Sequence, residues 1–291
     1  MTTVTTPATT ESPAGGYDVA GPSALAGDFR RFVVLTRVLA VQEFKLRFFG
    51  SVLGYLWQLM RPLMLFGVLY LVFAVALDLD AQAPFFAVAL LMNVVLYTFF
   101  ADATTASVRS VVEHENLVRK IQFPRLVIPA SITLTACFNF GLNLIVVFIF
   151  AFASGVPVRP GWLILPVLVF LLVALTVGSC MLLSALFVRF RDIQPIWDVV
   201  LQILFYGSPI LYAIEAVQDK APELASAMMA SPLGAIMVSA RHYVLDPTSP
   251  TAAEVIGSDL RLLVPLGIVV LAFGLGLWFF NHEAPRIAER L

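Results

Sequence analysis

Residues 111–123 read Val-Val-Glu-His-Glu-Asn-Leu-Val-Arg-Lys-Ile-Gln-Phe, and Pro124 closes the stretch. An apolar run from Pro84 to Ser107 precedes it, and another from Leu126 to Ala153 follows. Each run reaches the roughly 20 residues that a helix needs to cross about 30 Å of hydrocarbon. Between them, Val111, Val118 and Ile121 share one helical stripe, while Glu113, Glu115, Arg119 and Lys120 supply charge. Pro124 disfavours helical geometry at Phe123 and fixes the exit. The reading is two membrane spans joined by a short amphipathic helix with a firm stop. That is what a membrane domain needs where a soluble partner pushes on it.

Working outward, the rest of the chain fits the same solvent. Hydrophobic residues make up 60% and charged residues 13%, with a mean hydropathy of +0.92. A soluble chain of 291 residues cannot bury that much apolar surface, so the bilayer is the solvent for most of it. Six apolar segments are predicted to span: Leu53–Leu77, Pro84–Ser107, Leu126–Ala153, Trp162–Val188, Ile193–Ile214 and Leu262–Phe280. They must be helical, because unpaired backbone groups are too costly in lipid, and no strict alternation suggests a barrel. An even number of spans puts both termini on one side, and 14 of the 18 Lys/Arg residues then fall on that side. The positive-inside rule makes it the cytoplasm.

The flanking segments read differently. Residues 1–27 are rich in Thr, Ala, Pro, Ser and Gly and are expected to form a disordered tail without the pattern of a signal peptide. Residues 28–49 form an amphipathic helix expected to lie in the inner interface, with Arg30, Arg31, Arg37, Lys45 and Arg47 on one side and Phe32, Leu35, Leu39, Leu46 and Phe49 on the other. Glu43 sits awkwardly near the apolar side. Residues 50–291 make the six-span domain. Within it, 215–259 is an outer segment in which Leu224–Ala240, interrupted by Ser231-Pro232, is expected to form two short re-entrant helices.

Catalytic chemistry is not expected. Cys137 and Cys180 lie inside apolar runs and read as small core residues rather than a disulfide. His114-Glu115 begins like a zinc-protease motif but lacks its second histidine, and no metal site is predicted. None of the lysines, Lys45, Lys120 and Lys220, follows a glycine, so no phosphate-cradling P-loop exists; ATP and Mg, if used, belong to another chain. A net charge of −1 gives no reason to expect nucleic acid. Asn93, Asp102, Asn139, Asn143, Asp198 and Gln202 interrupt the spans and should face the bundle interior or a wet path. Aromatics gather at Tyr97, Phe99 and Phe100, and again at Phe205, Tyr206 and Tyr212. They suit packing, interface belts or the apolar faces of sugars.

Three segments together resemble the membrane subunit of ABC-2 type polysaccharide exporters, the permeases for O-antigen, teichoic acid and related envelope glycans. They are Lys45-Leu-Arg-Phe-Phe-Gly-Ser-Val-Leu-Gly-Tyr-Leu-Trp-Gln-Leu-Met-Arg-Pro62, Glu115-Asn-Leu-Val-Arg-Lys-Ile-Gln-Phe-Pro-Arg125, and Arg189-Phe-Arg-Asp-Ile193 followed by Phe205-Tyr-Gly-Ser-Pro-Ile-Leu-Tyr212. Their order holds from about residue 28 onward; Ser231-Pro232-Leu233 stands where the family tends to have Asn-Pro-Leu. The resemblance implies an all-helical permease in a bacterial plasma membrane, working as a homodimer that binds two copies of a P-loop ATPase. It implies export of a lipid-linked glycan.

On this expectation Glu115, Asn116, Leu117, Val118, Arg119 and Lys120, with Arg189, Arg191 and Asp192, couple to the ATPase. Lys45, Arg47, Tyr55, Trp57 and Arg61 meet the incoming substrate. Tyr97, Phe99, Phe100, Phe205, Tyr206 and Tyr212 line the channel, and Ser231 and Pro232 mark a gate bend. An ABC-2 permease for drugs or lipids stays open as an alternative. An ion-coupled carrier does too, although only Asp102 and Asp198 would offer it intramembrane acid groups.

Overall fold

The computed structural model describes residues 29–48, 52–76, 84–118 and 123–290, with the side chains of 46–56, 75–76, 259 and 285–290 left aside. The predicted tail, Arg119 and Lys120, and the side chains of Arg47 and Tyr55 lie outside the described residues. Every regular element among those described is helical. In order they are α1 (Phe29–Phe48), α2 (Val52–Tyr70, prolonged by a π-helical stretch to Ala76), α3 (Phe86–Glu113), α4 (Glu115–Val118), α5 (Val127–Ala153), α6 (Leu165–Arg189), α7 (Ile193–Gly207), α8 (Ile214–Gln218), α9 (Pro222–Ala230), α10 (Pro232–Ala240, prolonged to Leu245), α11 (Ala252–Ile256) and α12 (Leu263–Arg290).

Five of these stretches are long and apolar enough to cross a membrane: Trp57–Ala74, Phe86–Glu113, Val127–Ala153, Pro160–Arg189 and Leu260–Ala284. The fifth predicted span, Ile193–Ile214, is shorter than expected. Its helix α7 has 15 residues, about 22 Å of rise, and ends where Ser208-Pro209 takes the chain out of helical geometry. A sixth crossing by length arises only if α9 and α10 are joined, and these meet at Ser231-Pro232 with a bend of 102°.

The bundle is built around α3, whose Leu90, Leu91 and Leu96 are almost wholly buried. Its tightest seam is α6 against α12. A Cβ added at Gly178 would stand 2.6 Å from the Cα of Phe273, and one added at Gly276 would collide with the Gly178 carbonyl. Only glycine lets two membrane helices approach so closely.

Helix α7 is held differently. Asn93, Tyr97, Phe100 and Thr104 follow the i, i+4, i+7, i+11 spacing of one helical face of α3. Asn93 Nδ2 donates to the Pro209 carbonyl just beyond α7 (3.0 Å), and Tyr97 O–H donates to the Leu201 carbonyl (2.8 Å). Trp197 Nε1–H donates to Thr104 Oγ1 (3.0 Å), and the Phe100 ring lies against Trp197.

Helix α1 packs along α5 rather than standing apart. Thr36 and Ala40 are buried, Thr135 Oγ1 donates to the Ala40 carbonyl (3.2 Å), and Phe44 meets Phe138 edge-on. Helices α8–α11 pack on one another at the end of α3 that carries Phe86 and Ala89, away from α4.

Candidate functional site

Helices α2, α3 and α5 enclose a groove of about 740 Å³. Its polar wall includes Gln58 and Arg61 from α2, Thr98 and Asp102 from α3, and Asn139 and Asn143 from α5. Arg61 sits nine residues into α2, about 14 Å along its axis. There Arg61 Nη1 lies 3.4 Å from Asp102 Oδ1, with both side chains well exposed. The pairing sets the guanidinium and the carboxylate against each other at the edge of the groove, which suits polar groups on otherwise apolar helices. Asn143 Nδ2 donates to the backbone carbonyl of Asn139 (3.0 Å), and the groove's apolar wall includes Phe99 and Phe140, whose rings are 4.7 Å apart.

A second group of residues lies at the α4 end of the bundle. Helix α3 runs through Val111–Glu113 and breaks at His114, where φ −100° and ψ 26° end it. The single helix expected over 111–123 is therefore divided: its start is the tail of α3, its middle is the four-residue α4, and 119–122 lie outside the described residues. The apolar stripe is also placed otherwise than expected. Val111 and Val118 are buried against Leu126, Ile128, Met181 and Phe280, so they anchor the segment to its own bundle. Burial of each valine side chain stabilises this placement by about 1.5–3 kcal/mol. The outward side carries Glu113, Asn116 and part of Leu117.

His114 links this segment to α1. Its Nδ1–H donates to the Ser110 carbonyl (2.8 Å), and its Nε2 lies 3.4 Å from Glu43 Oε1. The Glu43 carboxylate beside it raises the His114 pKa above the ordinary imidazole range, against the burial that lowers it. Nearby, Arg189 lies over the Phe190 ring and 3.9 Å from the buried Glu283 carboxylate, Arg191 lies over Phe187, and Asp192 immediately precedes α7.

Residues 34–244 match the family model for the ABC-2 type transporter. The chain belongs to that family. Among curated relatives, this ABC-2 chain is 28% identical over 255 residues to the O-antigen export system permease protein RfbA of Klebsiella pneumoniae, covering 87% of this chain and 93% of the relative. A second Klebsiella pneumoniae protein of the same name is 27% identical over 256 residues, with the same shares covered. The Myxococcus xanthus protein of that name is 28% identical over 237 residues, covering 80% of this chain and 86% of the relative.

The remaining predicted residues of this ABC-2 chain divide into those that meet the groove and those that do not. Tyr97 and Phe99 border the groove but are themselves buried, and Phe100 is packed away from it against Trp197. Phe205 meets Tyr97 edge-on at 5.0 Å, so it too serves the α3–α7 seam. Tyr206 is exposed, while Tyr212 O–H donates to the Tyr206 carbonyl at 3.1 Å. The sequence groups these aromatics in two runs, and helical phase divides them further. Trp57 is exposed at the start of the groove's α2 wall and Lys45 is exposed on α1.

At the other end, Arg241 Nη1 donates to Glu215 Oε2 (2.9 Å), tying α10 to α8, and Pro232 opens α10 as its first residue. Asp102 as the partner of Arg61, and Glu43 as the partner of His114, are the two relations that single-residue reading missed. The only sequence signal for the second was Glu43's misfit with the apolar side of α1.

Proposed function

We propose that this chain is the permease subunit of an ATP-driven exporter that moves a lipid-linked glycan, of the polyprenyl-pyrophosphate kind, from the cytoplasm across a bacterial plasma membrane. Two copies of the chain form the path, and two copies of a separate P-loop ATPase supply the energy, with ATP and Mg bound there. The observation that carries the reading is the polar groove with its Arg61–Asp102 pair at membrane depth. Relatives named for O-antigen export add weight to it.

In this reading both termini are cytoplasmic, and the α4 end faces the ATPase. The exposed side of residues 113–117, continued by Arg119 and Lys120 and flanked by Arg189, Arg191 and Asp192, seats in a cleft of that partner, as short amphipathic segments do. Because Val118 is rooted among α6 and α12 side chains and His114 touches Glu43, a push on α4 reaches both the bundle core and α1. The substrate approaches beside α2 past Lys45, Arg47, Tyr55 and Trp57. Its phosphate draws Arg61 away from Asp102, since a guanidinium fork can bind two phosphate oxygens at once. Asp198, Gln202 and Tyr206, spaced i, i+4, i+8 on the exposed side of α7, then face the water path between the two copies. The bend at Ser231-Pro232 lies in the outer gate.

The test is the purified complex with its ATPase. Wild type is expected to turn over ATP faster when lipid-linked glycan is added, and Leu117→Asp combined with Arg119→Glu is expected to lose the ATPase on purification. Unchanged co-purification in that variant, or turnover indifferent to glycan in wild type, would contradict the reading.

A further inference from the structure

Asn139 is only 6% exposed, yet it lines the groove, and among the described residues none donates a hydrogen bond to its side-chain carbonyl. A buried amide group left unpaired costs free energy, and membrane spans carry such groups chiefly where something else satisfies them. Asn143, one turn further along α5, spends its amide N–H on the Asn139 backbone carbonyl. Both side chains border the groove about 18 to 24 Å along α5, the Asn139 oxygen covered by the protein until the amide turns about χ2. Asp102 lies 11 residues before the end of α3, about 16 Å from it, so the Arg61–Asp102 pair is the shallower feature and the amides the deeper one. Hydrocarbon has no use for either. A ligand that does is one with an anionic group followed, within a few ångströms, by a ring bearing hydroxyls.

We propose that the groove holds the phosphate–sugar junction of the lipid-linked glycan, with Arg61 on the phosphate and Asn139 and Asn143 on hydroxyls of the first sugar. This rests on the function proposed above. A sugar hydroxyl both donates and accepts, and rotation about χ2 lets either face of the Asn139 amide meet it. The Phe140 ring offers an apolar surface suited to the C–H face of the same sugar. Asp102 acts as the resident anion that the phosphate must displace. The site therefore reads the junction and not the length of the glycan beyond it.

The permease–ATPase complex in lipid nanodiscs provides the test, read in two ways: direct binding by native mass spectrometry, and ATP turnover. The probes are polyprenyl pyrophosphate carrying one sugar, the same lipid without sugar, and phosphatidylglycerol. Asn139→Leu is expected to weaken the sugar-bearing lipid about fivefold, the worth of one hydrogen bond, while leaving the sugar-free lipid within about twofold. Arg61→Gln is expected to weaken both by about tenfold, and Asp102→Asn to strengthen both. If Asn139→Leu does not give a monodisperse complex, Asn139→Ser carries the same prediction without added bulk.

Equal effects of the Asn139 variants on sugar-bearing and sugar-free lipid, or none on either, would overturn the proposal. So would wild-type binding of phosphatidylglycerol as tight as that of the sugar-bearing lipid, which would make the groove an ordinary phospholipid site. Glycan-stimulated turnover with an indifferent Asn139 would remove this site and leave the export reading standing. Sugar-dependent binding without any effect on turnover would do the reverse.

Discussion

Where α6 crosses α12, backbone meets backbone at Gly178 and Gly276; where α7 lies on α3, side-chain hydrogen bonds from Tyr97 and Trp197 and ring contacts bridge the helices. The first seam admits no slack. The second is a row of individual donors and acceptors, each worth about 1 kcal/mol, on a helix that buries only Leu201 fully. In lipid there is little hydrophobic force to draw helices together, so close packing and polar contacts are the available means. A chain that uses one for α6–α12 and the other for α7 has a rigid scaffold beside an element that can be shifted. The groove and the exposed Asp198–Gln202–Tyr206 row lie on the side of the shiftable element.

The comparison breaks first at the glycine seam. Gly178→Val is expected to cost on the order of 3 kcal/mol, because the colliding atoms are backbone and cannot swing away. A thermal midpoint in detergent equal to wild type would show that the seam is not tight. Removing Arg241 comes next. Arg241→Ala leaves Glu215 without its partner in a partly buried setting, at about 1–3 kcal/mol. Faster hydrogen exchange in α8 and α10, with α6 and α12 unchanged, is the expected result.

The α7 seam should yield more gently. Tyr97→Phe is expected to cost about 1 kcal/mol by releasing the Leu201 carbonyl, and to raise exchange in α7 alone. Equal loosening of α12 would contradict a division between scaffold and shiftable helix. Arg61→Ala sharpens the contrast from the other side. An exposed ion pair contributes little, so stability should stay within about 0.5 kcal/mol of wild type while the response to glycan falls.

The smallest effect is one of pH. The contact with Glu43 raises the His114 pKa, so the stabilising charged pair is fully present below about 6.5, the ordinary imidazole value, and is lost as pH rises through the raised value of the folded protein. Glu43, Glu113 and the Ser110 carbonyl are the groups that favour the proton there. Raising the pH through that range should loosen α1 from the α3–α4 junction, followed by exchange in α1. Glu43→Gln should remove the pH dependence, and its persistence in that variant would point to another group.

Much of the architecture is legible from apolar length. The runs at 84–107, 126–153, 162–188 and 262–280 became α3, α5, α6 and α12, although α3 runs on to Glu113 and α12 to Arg290, well past the expected ends. What length does not tell is what each face meets. Val111 and Val118 read as a stripe for a partner, and the groups that bury them, on α6 and α12, are distant in sequence. Tyr97, Phe99 and Phe100 are adjacent in the chain, yet helical phase turns Phe100 to Trp197 and Phe99 to Phe140. Ile193–Ile214 is predominantly apolar, and its helix still ends at Gly207 because Ser208-Pro209 interrupts the backbone pattern rather than the hydropathy. Asn139 and Asn143 were visible as interruptions of a span, but only the folded chain brings them to one groove with Arg61 and Asp102.

The most direct measurement uses proteoliposomes in which the chain and its ATPase are oriented with the ATPase outside and lipid-linked glycan is supplied in the outer leaflet. The glycan should become protected from an added glycosidase only when ATP is present, and Arg61→Ala should slow that protection with the complex intact. Protection that proceeds equally without ATP, or that ignores Arg61→Ala, would contradict an ATP-driven export path through the Arg61 groove.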